Sequence, residues 1–143
     1  MEKLSGLPNS SIQQERSPEL SNFAADIRRA NLNEAILGQA NLREANLQGA
    51  FLTGARPAGI NLQGGNLCGA EFAKVNLYQA NLGNADLQAA NFQGARIQGA
   101  DFRGAKNMNG EQIKASENWE QAIYDDVLSQ ELGLASNNHS FEK

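Results

Sequence analysis

A chain of 143 residues has room for one domain. Its net charge of −4 argues against the basic face of a general nucleic-acid binder, and its single cysteine, Cys68, leaves no intramolecular disulfide or Cys-rich metal framework. No stretch approaches the ~18 apolar residues of a membrane span.

The chain opens with "MEKLSGLPNSSIQQERS", which has neither the basic end nor the apolar run of a signal peptide. The expected setting is therefore cytoplasmic, with residues 1–16 disordered. Residues 17–24 read as a short capping helix. Ser17 suits the N-cap, Pro18 suits the first helical position, and Leu20, Phe23 and Ala24 share a face.

From Ala25 to Gly104 the chain divides into sixteen units of five: ADIRR, ANLNE, AILGQ, ANLRE, ANLQG, AFLTG, ARPAG, INLQG, GNLCG, AEFAK, VNLYQ, ANLGN, ADLQA, ANFQG, ARIQG, ADFRG. Place one is Ala in thirteen units, and place two is Asn or Asp in eleven. Place three is Leu, Phe or Ile in all but the unit with Pro57, and place five is Gly in eight. Neither regular element accepts this period. In an α-helix five residues advance ~500°, so successive Leu would scatter around the axis. In a flat strand an odd step sends each Leu to the opposite side.

A short extended piece followed by a corner does accept it. Places one and three point to one side, and a turn beginning at place three puts places four and five at its centre. A type II turn needs a positive φ at place five, where Gly is commonest. Units with Glu34, Gln39, Glu44 or Lys74 there are expected to use another turn type. Four corners close a square of twenty residues, and stacked squares would pair as in a parallel sheet at ~4.8 Å.

The expected core is then four columns: Ile27, Leu47, Leu67, Leu87; Leu32, Leu52, Phe72, Phe92; Leu37, Pro57, Leu77, Ile97; and Leu42, Leu62, Leu82, Phe102. Phe72 and Phe92 should stack one coil apart. Pro57 lacks a backbone donor and should mark a local break. The Asn41, Asn61, Asn81, Asp101 column is expected to hydrogen-bond along the stack.

After Ala105 the five-beat stops, and residues 105–134 read as a helical cap. Two helices are expected, over 110–116 and 119–132. Ile113, Trp119, Ile123, Val127, Leu128 and Leu132 would form the lid, and Gly133 the stop. Residues 135–143 read as a disordered tail.

The A(D/N)LXX pattern of residues 25–104 resembles the pentapeptide-repeat family, and the ends resemble cyanobacterial members with a C-terminal helical cap. The resemblance implies an all-β solenoid: a right-handed quadrilateral β-helix of four coils with short helical caps at both ends. Some members protect a DNA topoisomerase by imitating DNA, so regulation of a type II topoisomerase such as gyrase is the alternative function. The charge distribution disfavours it. The repeats carry net +1, and the acidic excess of −4 sits in residues 105–143.

Nothing in the sequence builds an active site or a cofactor site. His139 lies in the polar tail, Cys68 has no histidine near it in the repeats, and Asp26, Asp86 and Asp101 sit in different coils. The Gly-rich runs lack the Lys and Ser/Thr of a phosphate loop. A non-enzymatic protein-interaction or scaffold module with no cofactor or metal is expected, a monomer or a weak dimer through one end of the stack. The candidate contact patch is Ile36, Phe51, Arg56 and Tyr78, which interrupt an outer surface of Asn, Gln and Gly. The partner would be an unidentified protein, with no direct nucleic-acid or membrane contact.

Overall fold

The computed structural model describes residues 25–134, so the expectations for residues 1–24 and 135–143 lie outside the described residues. Each five-residue unit has the same local course: a single bridged residue at place two, a buried residue on either side, and a turn at places four and five. The turn closes with a hydrogen bond from the next unit's first N–H to the carbonyl of place three, as in Ala30 to Ile27 (3.1 Å) and Ala45 to Leu42 (3.0 Å). Parallel bridges join residues twenty apart, among them Asn31 with Phe51, Phe51 with Glu71, and Glu71 with Asn91.

The expected all-β solenoid is not what forms. Among the described residues there is no strand longer than one bridged residue and no sheet. The regular elements are two short α-helices, α1 (Gly110–Lys114) and α2 (Asp126–Glu131), with a 3-10 turn at Trp119–Gln121. The cause lies in the unit length. Two of every five residues are spent on the corner, so the extended run ends before a strand can form. A quadrilateral β-helix with sheet walls is replaced by stacked turns stitched together by isolated bridges.

Places one and three of all sixteen units are buried, including Pro57 and Gly65. Each Leu or Phe so placed contributes roughly 1.5–3 kcal/mol before chain entropy is counted. Phe72 stacks on Phe92 at 5.2 Å, and Phe92 meets Phe102 edge-on at 5.9 Å.

The turn expectation needs correction. Every place-five residue has a positive φ, glycine or not: Glu34 67°, Gln39 64°, Glu44 61° and Lys74 61°, beside Gly49 at 67°. The stack imposes one corner on all units, and non-glycine residues carry the strain of order 1–2 kcal/mol.

The cap also differs from its sequence reading. It prolongs the ladder with a stretched spacing: Lys106 pairs with Asp86, Glu117 with Arg96, and Ile123 with Asp101, twenty, twenty-one and twenty-two residues apart. Helix α1 stands where the bridge above Asn91 would fall, and its Gln112 Nε2 donates to the carbonyls of Leu87 (2.9 Å) and Ala90 (3.0 Å). The Asn109 side chain accepts from Gln112 N–H (2.9 Å), and Gln112 Oε1 accepts from Asn109 N–H (2.9 Å), a reciprocal cap. The expected 119–132 helix is split, because Ala122 is extended and Ile123 joins the ladder. Of the expected lid, Ile113, Leu128 and Leu132 are buried and Trp119 is half-buried, but Val127 is 76% exposed. Tyr124 fills the centre instead. It is fully buried and its hydroxyl donates to the Trp119 carbonyl (2.6 Å).

Candidate protein-contact face

Place two points outward, and its residue type decides whether the side chain serves the turn or faces solvent. Asn or Asp there accepts a hydrogen bond from the N–H two residues on: Asn31 from Asn33 (3.1 Å), Asn61 from Gln63 (3.0 Å), Asn76 from Tyr78 (3.0 Å), Asn81 from Gly83 (2.9 Å). Column Asn41, Asn61, Asn81, Asp101 therefore does not ladder along the stack as expected. Its side-chain oxygens turn inward to their own corners. Five units carry something else at place two: Ile36, Phe51, Arg56, Glu71 and Arg96. Glu71 accepts from Asn91 Nδ2 (2.9 Å).

Ile36 and Arg56 are bridge partners in adjacent coils, so their side chains stand next to each other on one face. Tyr78 rises from the corner column of that face, above Gly38 and Ala58, and its carbonyl accepts from Gly59 N–H (2.9 Å). Phe51 bridges Asn31 and Glu71, which puts it on the neighbouring face, one corner away. Ile36, Phe51 and Tyr78 are 47%, 47% and 44% exposed, and Arg56 is exposed with them.

The ladder breaks in the middle of this face. Ile36 pairs with Arg56 and Asn76 with Arg96, but no bridge joins Arg56 to Asn76. Pro57 has no N–H to offer the Asn76 carbonyl, and the return bond from Asn76 N–H to Ala55 is lost with it. These backbone groups have no hydrogen-bond partner among the described residues.

Four of the arginines divide into two kinds. Arg28 pairs with Asp26 (2.8 Å) and Arg103 with Asp101 (2.6 Å), each across one corner. Arg56 and Arg96 themselves occupy place two, so no such carboxylate is built in, and no described carboxylate lies within 4.0 Å of either. Burial raises the Asp101 carboxyl, but the hydrogen bonds and charge of Arg103 outweigh it and hold it below its usual range. Asp86 is likewise held low, first by the Asn107 side chain donating at 2.9 Å. These acids are tied into the stack rather than lined up as free charges.

No reactive group emerges among the described residues. Burial raises the Cys68 thiol, and the neighbouring Asp86 raises it further, which disfavours the thiolate a nucleophile needs. Among the described residues no group of three His, Cys, Asp or Glu could hold a metal ion, and His139 lies outside them. A shallow polar depression of about 450 Å³, lined by Gln63, Asn81, Gly83, Asn84, Asp101, Arg103 and Gly104, sits on a different face. No helix among the described residues is long and apolar enough to cross a membrane.

The model of the pentapeptide repeats matches residues 23–56, 58–88 and 70–106, in eight copies. The chain belongs to the pentapeptide-repeat family. Members of this family are generally non-enzymatic, and the chain is a non-enzymatic one. It is similar to a pentapeptide repeat protein of the Arabidopsis thaliana thylakoid lumen, with 29% identity, a TM-score of 0.60 and 70% of each chain covered. It is also similar to a pentapeptide repeat protein of Nostoc PCC 7120, with 31% identity and a TM-score of 0.58 over 75% of this chain and 84% of that one. A third, from the cyanobacterium Cyanothece 51142, is 32% identical over 71% of this chain and 60% of that one, with a TM-score of 0.35. No curated protein matches the chain. The lumenal relative corrects the cytoplasmic expectation: it points away from that compartment, and repeat composition does not fix where such a chain resides.

Proposed function

We propose that this pentapeptide-repeat protein acts by protein contact, through the surface formed by Ile36, Phe51, Arg56 and Tyr78. One observation carries the reading. Four large apolar side chains are exposed among the described residues, and three of them, Ile36, Phe51 and Tyr78, gather on two adjoining faces around Pro57. Single exposed apolar residues are ordinary, but an aliphatic, two aromatics and an arginine on two adjoining faces are the composition of a binding hot spot. Place two is Asn or Asp in eleven of the sixteen units, and such residues serve the turn, as Asn31, Asn61 and Asn81 do. The test is affinity capture from a cell extract with the wild type and with Phe51→Asn/Tyr78→Gln. A protein held by the wild type and lost by the variant supports the reading, and equal capture by both removes it.

A further inference from the structure

Three kinds of backbone bond join each coil to the next. A place-three N–H donates to a place-two carbonyl, as Leu47 to Asn66 (2.8 Å), and a place-five N–H to a place-four carbonyl, as Gly49 to Cys68 (2.9 Å). A place-two N–H donates back to place one, as Asn66 to Ala45 (3.0 Å). All of these bonds are made between the first and second coils, and again between the third and fourth. Between the second and third coils three are missing, and they are consecutive along the wall: Gly54 to Ala73, Pro57 to Asn76, and Asn76 back to Ala55. Proline lacks the donor for one of them. The other two have their donors, so the two coils stand apart from Gly54 to Pro57. The parting ends at the bond from Leu52 N–H to Glu71 (3.1 Å) on one side and from Gly59 N–H to Tyr78 (2.9 Å) on the other.

We propose that this corner is an opening point of the stack, where coils two and three separate while the rest of their contact stays closed. Gly54 and Asn76 are exposed, and backbone that faces solvent with few bonds opens at a lower free energy than the structure around it. The contact residues stand on opposite lips: Phe51 and Arg56 belong to the lower coil and Tyr78 to the upper one. Opening therefore changes their spacing, and a partner that touches both lips selects one spacing. That use rests on the reading of this surface as a contact face, whereas the opening itself does not.

The experiment is hydrogen–deuterium exchange of the free, full chain, read amide by amide by NMR and corrected for the intrinsic rate of each sequence. Amides without a hydrogen bond exchange fast in any case, so the bonded amides beside the parting decide. Leu52, Gly59 and Glu71 should exchange about tenfold or more faster than Leu47, Asn66, Leu62 and Asn81, which bond the same two coils elsewhere. Pro57→Leu restores a donor for the Asn76 carbonyl and should remove most of the difference. Pro57→Ala restores the same donor without added bulk, and melting curves show which variants are folded. Equal protection of the two groups in the wild type overturns the proposal, and that comparison needs no variant. A difference that survives unchanged in a folded Pro57 variant overturns it too. No partner is present in this measurement, so its failure is told apart from failure of the capture test with Phe51→Asn/Tyr78→Gln.

Discussion

Phe102 stacks on Tyr124 with ring centroids 5.8 Å apart and planes 17° from parallel, which joins the last full coil to its cap. Phe92, which stacks on Phe72 in a neighbouring column, meets Phe102 edge-on across the interior, so the cap joins a cluster of rings in the core of the stack. Offset stacking adds roughly 0.5–1.5 kcal/mol beyond the area each ring buries.

Tyr124→Ala should therefore cost about 3–5 kcal/mol, the usual loss for a large buried ring. Tyr124→Phe keeps the ring and drops only the hydroxyl bond to the Trp119 carbonyl, which should cost about 1 kcal/mol. Chemical denaturation of the two variants checks the difference. Equal, small losses would show that the cap does not share the core.

Leu62→Asp puts a carboxylate at a fully buried place three where the neighbours are Leu, Ala and Ile. The cost should be several kcal/mol, enough to remove the cooperative transition. A stable, cooperatively unfolding variant would mean that Leu62 is not interior.

Ala89 occupies place five with φ of 59° and has no side-chain group to offset the strain. Ala89→Gly relieves the left-handed backbone and should stabilise by up to ~1 kcal/mol, after the extra entropy of glycine in the unfolded chain is set against it. The measurement is the denaturation midpoint, and a lower midpoint would show that the corner is relaxed for alanine.

The Asp101–Arg103 pair makes stability depend on pH. Arg103 lowers the folded carboxyl below its unfolded value of about 3.9, so near neutral pH the pair stabilises the fold. That stability is present above the unfolded value and is lost as pH falls through the folded one. Asp101→Asn should flatten the decline of melting temperature in acid while lowering it at neutral pH. Identical acid profiles for the two proteins would show that the pair contributes nothing measurable.

The sequence reveals which side chains are interior but not how the backbone between them is shaped. Residue type alone reports burial, so Ala at place one and Leu or Phe at place three mark the core. Strand formation depends on the length of extended backbone, and the corner consumes it, which is why the all-β expectation fails. Glu34 and Lys74 keep the corner of their glycine neighbours because bonds between coils fix it: Glu34 N–H to Thr53 (2.9 Å), Lys74 N–H to Gln93 (2.9 Å). Tyr124 was legible in principle. The stretch "AIYDD" at 122–126 repeats the order of "AIL" at 35–37, with Ala122 and Tyr124 buried and Ile123 on the ladder. A helical period through Trp119, Ile123 and Val127 hides it, because the ladder resumes only after two extra residues. The exceptions Ile36, Phe51, Arg56 and Tyr78 can be read directly from the repeat, whereas the ion pairs of Arg28 and Arg103 with the acids two residues before them are seen only in the structure.

The most direct test of the proposed contact face is the dissociation constant of a captured partner for three proteins: wild type, Phe51→Asn/Tyr78→Gln, and a control, Gln88→Ala, which is exposed two coils above Gln48. Losing hot-spot aromatics should weaken binding by ~2 kcal/mol or more, about thirtyfold. An exposed glutamine away from the site should change it by less than ~0.5 kcal/mol. The account predicts a weakened patch variant beside an unchanged control. Equal constants for all three proteins would contradict it.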